Sequence, residues 1–175
     1  MATYQRCEVL ARAAAGVAEG SAWRGRLIRA IDGREPAGVH LAVFVEPFLT
    51  AVLDGRKTME SRFTLTRQPP WGCVEPGDII LLKRSGGAVV GVARAGAAQS
   101  HELSPALIQR LRARFETQLC ATDDQFWSSR AGKNYATLIE IEDVEPLADV
   151  AIEKRDRRGW VSYGRGNAGS LALTG

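Results

Sequence analysis

The residues best suited to chemistry in this sequence are Lys57, Glu60 and Arg62, which lie close together in a turn and the segment after it. A lysine can bind a phosphate through its charge, or act as a nucleophile where burial makes the amine neutral. A glutamate can accept a hydrogen bond from the amine of a base or serve as a general base. An arginine can bind phosphate through two parallel hydrogen bonds or hold the glutamate in position. The three suit a small polar ligand, with Lys57 and Glu60 as candidate catalytic residues and Arg62 as a candidate binding residue.

The two-residue period of a β-strand determines which of these side chains share a face. If residues 58–64 form a strand, Glu60 and Arg62 point to the same side, and Lys57 joins them only if the preceding turn redirects it. The pattern is also compatible with an exposed lysine turn and a surface Glu60–Arg62 ion pair worth about 0–1 kcal/mol. We expect the first arrangement, in which all three side chains line one concave pocket open to solvent.

A second cluster combines cations with aromatic residues near the end of the sequence. Residues 154–158 read Lys-Arg-Asp-Arg-Arg, and two aromatic residues follow them. Proteins that bind single-stranded nucleic acid place cations along the phosphates and stack bases on aromatic rings, at about 1–3 kcal/mol per base. The candidate binding residues are Lys154, Arg157, Arg158 and Trp160. The alternative is a solvated basic loop that leads into a strand whose Trp160 belongs to the core.

Three further residues are weaker candidates for ligand binding. Trp71 stands in a proline-rich loop and could stack on a base, and Arg67 in the same region could reach a phosphate. Tyr135 could line the same cleft as Lys57. The alternative for Tyr135 is a strand-start residue at the rim of a barrel.

The composition is that of a soluble globular protein of one domain. The chain has 175 residues, of which 45% are hydrophobic and 25% charged, a mix that can bury a core and that excludes general disorder. No apolar run approaches the roughly 18 residues of a membrane span, so no membrane association is expected. The N-terminal residues lack the apolar stretch of a signal peptide, which favours a cytoplasmic location. The net charge of +3 is a mild basic bias, compatible with nucleic acid.

The cysteines and histidines indicate neither a metal site nor a cofactor. Cys7, Cys73 and Cys120 are far apart and form no CxxC pair, so neither a disulfide framework nor a zinc site is expected. His40 and His101 stand in no recognisable metal-binding or catalytic motif. No cofactor and no metal ligands are therefore predicted, and a need for a divalent metal in any hydrolysis stays open.

Hydrophobic periodicity and helix-breaking residues divide the chain into three segments. Residues 1–38 are predicted to form two helices, an N-terminal helical extension that packs on the body and offers a surface to a protein partner. Residues 39–163 mix β-rich runs with short helices without regular alternation. This favours an α+β domain, an antiparallel and partly closed β-barrel flanked by helices. Residues 164–175 are rich in glycine and are predicted to be a flexible tail.

The stretch from Glu46 to Phe63 resembles the signature of the ASCH domain. It reads Glu-Pro-Phe-Leu-Thr-Ala-Val-Leu-Asp-Gly-Arg-Lys-Thr-Met-Glu-Ser-Arg-Phe. The signature is a short helix, then Gly-x-Lys-Thr, then Glu-x-Arg. The turn Pro76-Gly77-Asp78 also matches, because a Gly-Asp pair before a strand recurs in that domain. The resemblance covers residues 39–163.

This resemblance implies both a fold and a class of function. The fold is a PUA-like β-barrel, which RNA-associated proteins use widely, with Lys57, Glu60 and Arg62 in a cleft against the sheet. The implied function is recognition of RNA or a nucleotide in a basic cleft, with ribonuclease-like hydrolysis of RNA as its enzymatic form. The implied partner is RNA, single-stranded nucleic acid or a nucleoside, and the segment from Lys154 to Trp160 forms one wall of the cleft.

Two other functions stay open. One is a reader of a modified base that performs no chemistry. The other is an amidohydrolase acting on an acylated cytidine nucleoside, because some small ASCH proteins cleave the amide of 4-acetylcytidine with a lysine, a threonine and a glutamate. The lysine matches Lys57, and Glu60 stands where those proteins have the threonine.

Overall fold

The structure, a computed structural model, describes residues 2–154 and 157–166. The helices in these residues are α1 (Ala2–Gly16), α2 (Ala22–Ile31), α3 (Phe48–Leu53), α4 (Pro105–Phe115) and α5 (Asp124–Ser128). The strands are β1 (Gly38–Phe44), β2 (Met59–Thr64), β3 (Ile79–Arg84), β4 (Val89–Glu102), β5 (Tyr135–Val150) and β6 (Trp160–Arg165). The side chains of Ser21, Ser104 and Asp123 accept backbone N–H groups in the first turns of α2, α4 and α5, which sets where these helices begin.

The described strands form one sheet in the order β2-β5-β4-β3-β1-β6. The predicted α+β class is confirmed. The sheet is mostly antiparallel, as predicted, and one pair departs from this: β1 and β3 run parallel, from Val39 opposite Ile79 to Phe44 opposite Arg84. The connection between them contains α3 and β2, which makes it long enough for a parallel crossover. A strand beside a parallel neighbour is buried on both faces, and this accounts for the continuous apolar run of β1.

The sheet curves until its two ends approach each other. β2 and β6 are the end strands, and they are not hydrogen-bonded to one another. The side chain of Arg62 in β2 nevertheless reaches the backbone of Val43 in β1 and of Gly159 just before β6. The result is the partly closed barrel expected from the sequence, with a gap between its ends.

Three apolar clusters hold these elements together. Alternate residues of the central strands, such as Phe44 and Ile80, fill the concave side of the sheet. The other face of β1 and β3 packs against α1 and α2, and the face of β2 and β5 that carries Met59 and Leu138 packs against α4 and α5. Both sides of the sheet are therefore covered, and the gap between its ends is where a ligand can approach it.

The structure bears on two expectations from the sequence: where the C-terminal tail starts, and whether any helix could cross a membrane. β6 continues to Arg165, so residues 164 and 165 belong to the sheet and not to the predicted tail. Residues 167–175 of that predicted tail lie outside the described residues. No helix within residues 2–154 and 157–166 has the length and apolar character to cross a bilayer.

A buried polar pair fixes the start of β3 against β1. Asp78 is fully buried, and its Oδ2 lies 3.0 Å from Nε2 of His40. Three more groups donate to this carboxylate at 2.7–2.9 Å: the backbone N–H of Gly38, that of Glu75 and the guanidinium of Arg165. Burial opposes ionisation, but the hydrogen bonds from His40 and the backbone outweigh it and hold the pKa of Asp78 below its ordinary value. The indole N–H of Trp160 donates to Nδ1 of His40, so Nε2 carries the proton that faces Asp78.

Replacing Asp78 by asparagine should destabilise the fold strongly. An amide keeps the size of the side chain but offers one acceptor oxygen where four donors converge. We expect the free energy of unfolding to fall by about 2–4 kcal/mol in urea denaturation. Asp54→Asn is the matched control, because it alters an exposed carboxylate paired with an exposed arginine, and it should change stability by less than about 0.5 kcal/mol.

The cost of Asp78→Asn should also depend on pH. A carboxyl group whose pKa is lowered in the folded state adds stability above its unfolded pKa, and this stability is lost as the pH falls through the folded value. The stability difference between wild type and Asp78→Asn should therefore be largest near neutral pH and shrink below about pH 4. A difference that stays constant over this range would show that the charge of Asp78 does not stabilise the fold.

Candidate functional site

A pocket of about 560 Å³ opens in the gap between the two ends of the sheet. We call this gap the seam: β2 borders it on one side, and residues 43–45 at the end of β1 border it on the other. The lining residues are Val43, Phe44, Val45, Phe48, Lys57, Glu60, Ser61, Arg62, Phe63, Ser85, Phe126, Ser129, Arg130, Lys133, Arg157 and Gly159. A cavity of this volume is in the range of small-molecule binding sites.

Lys57, Glu60 and Arg62 form a row of charges at the bottom of this seam pocket, and we call them the floor triad. Nζ of Lys57 lies 3.2 Å from Oε2 of Glu60, and Nε of Arg62 lies 2.8 Å from Oε1 of the same carboxylate. Lys57 is 3% exposed and Glu60 is 6% exposed, so the alternative of an exposed lysine turn and a surface ion pair does not apply. The structure thus brings the three residues into one pocket, while their roles in binding or catalysis stay predictions.

The ammonium group of Lys57 has partners for all its donors within the protein. It donates to the backbone oxygens of Met59 at 2.7 Å and Leu119 at 3.1 Å, in addition to facing Glu60. An ammonium has three N–H donors, and these three oxygens account for them. Lys57 is therefore placed to hold Glu60 and the neighbouring loop.

The turn before β2 directs Lys57 inward. Gly55 has a φ of 74°, in the left-handed region that glycine adopts readily, and it ends the turn after α3. The backbone N–H of Lys57 then donates to Ala51, and the N–H of Thr58 donates to Gln118. These bonds tie the turn to α3 on one side and to the loop after α4 on the other. The redirection that the strand period alone could not provide comes from this pair of attachments.

Arg62 connects the two sides of the seam. Its Nη1 donates to the backbone oxygen of Gly159 at 3.0 Å and its Nη2 to that of Val43 at 2.9 Å. The guanidinium also lies over the rings of Phe44 and Trp160, at 5.3 and 5.5 Å from their centroids. Because a guanidinium offers donors in several directions from one plane, a single side chain can bridge strands that share no backbone hydrogen bonds.

Three cations surround the opening of the pocket, and we call Arg130, Lys133 and Arg157 the rim cations. Arg157 is exposed, whereas the other two are partly buried. Burial lowers the pKa of the Arg130 guanidinium, against the opposing influence of Glu60. Five cations and one carboxylate thus lie among the described residues of the lining. This excess of positive charge favours an anionic ligand.

Aromatic rings form an apolar wall between the floor and the rim. The ring of Phe126 lies edge-on to Phe48 and Phe63, with centroids 5.9 and 6.4 Å apart. The guanidinium of Arg130 lies 3.4 Å from the centroid of Phe126. A planar base can pack against an apolar surface of this kind while the neighbouring cations contact its phosphate.

The predicted basic and aromatic cluster near the end of the sequence contributes only part of the pocket. Trp160 is 1% exposed and packs in the barrel core, so its ring is not open to a base and the predicted stacking role is wrong. Arg157 lines the pocket, whereas Lys154 and Arg158 do not. The charge of Lys154 acts instead on Lys83: burial lowers the pKa of the Lys83 amine, and the charge of Lys154 lowers it further. Among the described residues of the predicted wall from Lys154 to Trp160, residues 157 and 159 line the pocket, and residues 155 and 156 lie outside the described residues.

The three weaker candidates form a cluster of their own outside the seam pocket. The rings of Trp71 and Tyr135 have centroids 4.8 Å apart, and the guanidinium of Arg67 lies 5.5 and 5.4 Å from them. Tyr135 pairs with Thr64 in the sheet, which places it on the same face of β2 and β5 as Arg62. A role of this cluster in ligand binding stays a prediction.

Arg130, Lys133 and Phe126 line the pocket although no motif in the sequence indicates them. They belong to α5 and the turn after it, and their position depends on the packing of this segment against β2. Their position follows from the antiparallel pairing of β2 with β5, in which the N–H of Asn134 donates to Thr64 and the residues just before β5 lie beside the end of β2. No local pattern in the sequence indicates this pairing between distant segments.

The described residues offer no cluster of metal ligands. Within residues 2–154 and 157–166, no three His, Cys, Asp or Glu side chains lie close enough together to hold an ion. The carboxylate of Glu60, at the bottom of the pocket, already faces two cations of the protein.

Three solved structures of an ASCH protein resemble this one. The crystal structure of ASCH from Zymomonas mobilis matches with a TM-score of 0.53 and 19% identity, over 65% of this chain and 73% of that chain. Two mutants of that protein match with TM-scores of 0.51 at 18% and 19% identity, over 65% and 63% of this chain and 76% and 73% of theirs. The sequence matches no family model and no curated protein. The chain therefore shares the fold of this ASCH protein, and at this level of identity the likeness establishes the fold alone.

Replacing Arg62 by lysine should loosen the seam. The ammonium keeps the positive charge, but it cannot contact Glu60, Val43 and Gly159 together, so two backbone oxygens or the carboxylate lose a partner. We expect a loss of about 1–3 kcal/mol in the free energy of unfolding, measured by urea denaturation. Arg56→Lys, at an exposed ion pair with Asp54, is the matched control and should change stability by less than about 0.5 kcal/mol. Equal stability of the two variants would show that Arg62 does not bridge the sheet ends.

Proposed function

We propose that the seam pocket binds a nucleotide, either free or within single-stranded RNA, and that it recognises this ligand without hydrolysing it. The observation that carries the proposal is the combination in one pocket of a buried carboxylate, an aromatic wall and three cations at the opening. A nucleotide has the matching parts, namely a flat base with N–H donors and a phosphate. The likeness to ASCH structures supports the proposal, because the PUA-like fold is common among RNA-associated proteins.

Each part of the pocket has a role in this proposal. The rim cations Arg130, Lys133 and Arg157 bind the phosphate, because among the described residues Glu60 pairs with Lys57 and Arg62 and not with them. The base lies beside the aromatic wall of Phe48, Phe63 and Phe126, next to the guanidinium that Arg130 places over Phe126, and reaches toward Glu60. Unstacked bases of single strands are recognised in this way, by aromatic contact and by hydrogen bonds to their edges.

The contacts of Lys57 favour recognition over hydrolysis. A lysine that attacks a ligand must be neutral and must reach the reacting atom. The amine of Lys57 instead faces two backbone oxygens and the Glu60 carboxylate, all within 3.2 Å. The same contacts count against the acylated-cytidine amidohydrolase, which would use this lysine. A reader of a normal or modified base needs only that Lys57 keeps Glu60 in place.

Two neighbouring arginines provide a matched test of the binding site. Arg157 lines the pocket and Arg158 does not, although both are exposed and both lose one charge on replacement by alanine. On a single-stranded RNA, Arg157→Ala should weaken binding and make the slope of log affinity against log salt shallower by about 0.7, the value for one phosphate contact. Arg158→Ala should leave the slope within about 0.2 of wild type.

The measurement is fluorescence anisotropy of a labelled RNA of mixed sequence, titrated at several salt concentrations. Equal slopes for wild type and Arg157→Ala, or a larger effect of Arg158→Ala, would place the RNA elsewhere on the surface.

The absence of hydrolysis is tested with the wild-type protein. Labelled single-stranded RNA and 4-acetylcytidine are incubated with and without a divalent metal, and products are separated and counted. We expect no product above the level without protein. Product that disappears in Glu60→Gln, but persists in the surface control Glu153→Gln, would make the pocket a hydrolytic site, since a positioned acid or base contributes roughly 10²-fold or more.

A further inference from the structure

One edge of β2 is unpaired, because β2 is an end strand that bonds only to β5. Just before β2, the backbone oxygen of Thr58 accepts the N–H of Ile141 in β5. The direction of backbone bonding alternates along a strand of an antiparallel pair. The backbone groups of Glu60 and Arg62 therefore face β5, and those of Ser61 face the opposite way.

The contacts of Met59 confirm this alternation. Its N–H donates to Gln118 and its oxygen accepts from the Lys57 ammonium, and neither partner belongs to β5. Ser61 and Phe63 continue the series, and both line the seam pocket. Nothing in the described residues bonds to the backbone of Ser61 on this side. Among residues 2–154 and 157–166, the N–H and the oxygen of Ser61 are consequently a donor and an acceptor without a protein partner at the edge of the pocket.

The carboxylate of Glu60 adds two further acceptors to the same pocket. An ionised carboxylate has about four lone-pair sites on its two oxygens. Nζ of Lys57 lies 3.2 Å from Oε2 and Nε of Arg62 lies 2.8 Å from Oε1, so each oxygen faces one cation as an ion pair, and the angle at Nε of Arg62 is not that of a hydrogen bond. One site on each oxygen remains for a ligand, and the two cations fix the orientation of the group.

We propose that these groups select guanine. The Watson–Crick edge of guanine presents an acceptor, O6, followed by two adjacent donors, the N1–H and the N2 amine. The backbone N–H of Ser61 matches O6, and the two oxygens of Glu60 match the adjacent donors. Adenine and cytosine present one amine, and uracil presents its N–H between two carbonyl oxygens that the carboxylate repels. This inference rests on the proposed nucleotide-binding function and specifies its base.

The first test uses the wild-type protein and five nucleoside 5′-monophosphates, those of guanine, hypoxanthine, adenine, cytosine and uracil. Dissociation constants are measured by isothermal titration calorimetry. The guanine nucleotide should bind tightest, and the hypoxanthine nucleotide, which lacks only the N2 amine, should bind about 10-fold more weakly. The uracil nucleotide should bind at least about 10-fold more weakly than the hypoxanthine nucleotide.

The outcomes separate this inference from the proposed function. Measurable binding of all five nucleotides within about a factor of two would overturn guanine selection and leave a nucleotide pocket. A preference for another base over guanine would also overturn it. No binding of any nucleotide, alone or in the RNA titration described above, would overturn the proposed function and this inference with it.

The second test isolates the backbone donor of Ser61. Ser61→Pro removes the N–H at a free strand edge, where proline costs no hydrogen bond of the sheet. Ser61→Ala is the matched control, because it removes the hydroxyl and keeps the N–H. Ser61→Pro should weaken binding of the guanine nucleotide by about 3–10-fold, and Ser61→Ala by less than about twofold.

A folded Ser61→Pro protein that binds the guanine nucleotide as tightly as Ser61→Ala does would overturn the role of this N–H. Folding is checked by the urea midpoint of each variant. If Ser61→Pro does not fold, the five-nucleotide measurement on the wild-type protein decides the inference by itself.

Discussion

The contact on which most of the site depends is the bridge that Arg62 makes between the two ends of the sheet. One guanidinium holds the backbone of Val43, the backbone of Gly159 and the carboxylate of Glu60. This contact closes the bottom of the seam and sets the distance between its sides. A Cβ atom at position 159 would lie 2.8 Å from Nη1 of Arg62, so a larger residue there would require this guanidinium to shift. The contacts of Arg62 with Val43 and Gly159 therefore couple the two sides of the pocket.

In the floor triad, the buried charges of Lys57 and Arg62 fix the orientation of the Glu60 carboxylate. Taking a lysine, a glutamate and an arginine out of water costs free energy that their mutual attraction offsets only in part. The protein reduces this cost by giving the Lys57 ammonium two backbone oxygens and by supporting Arg62 with two more. What the arrangement provides is a carboxylate that cannot turn. A fixed acceptor distinguishes between ligand edges more sharply than a mobile one.

Local pattern was sufficient for part of this structure and insufficient for the rest. The two-residue period of a strand correctly predicts that Glu60 and Arg62 share one face. The order of a short helix, a turn at Gly55 and a strand is also predictable, because each of these elements depends on residues close together in the chain. The inward direction of Lys57 could not be predicted from the sequence, because it depends on contacts with Gln118 and Leu119, which are distant in sequence. The parallel pairing of β1 with β3 and the burial of Trp160 likewise depend on contacts between distant segments. Sequence indicates which residues are suited to a site, whereas the sheet order decides which of them meet.

The free edge of β2 has a consequence for how copies of this protein behave toward each other. An unpaired strand edge is a template on which a strand of another molecule can add and start aggregation. Edge-to-edge pairing would place two β2 strands roughly 4.8 Å apart, and the positive charges around each seam would then face those of the other copy. The charge that favours phosphate thus also keeps copies apart. Salt screens such repulsion, with a Debye length of about 3 Å at 1 M, so the free protein should be more prone to self-association at high ionic strength than at low.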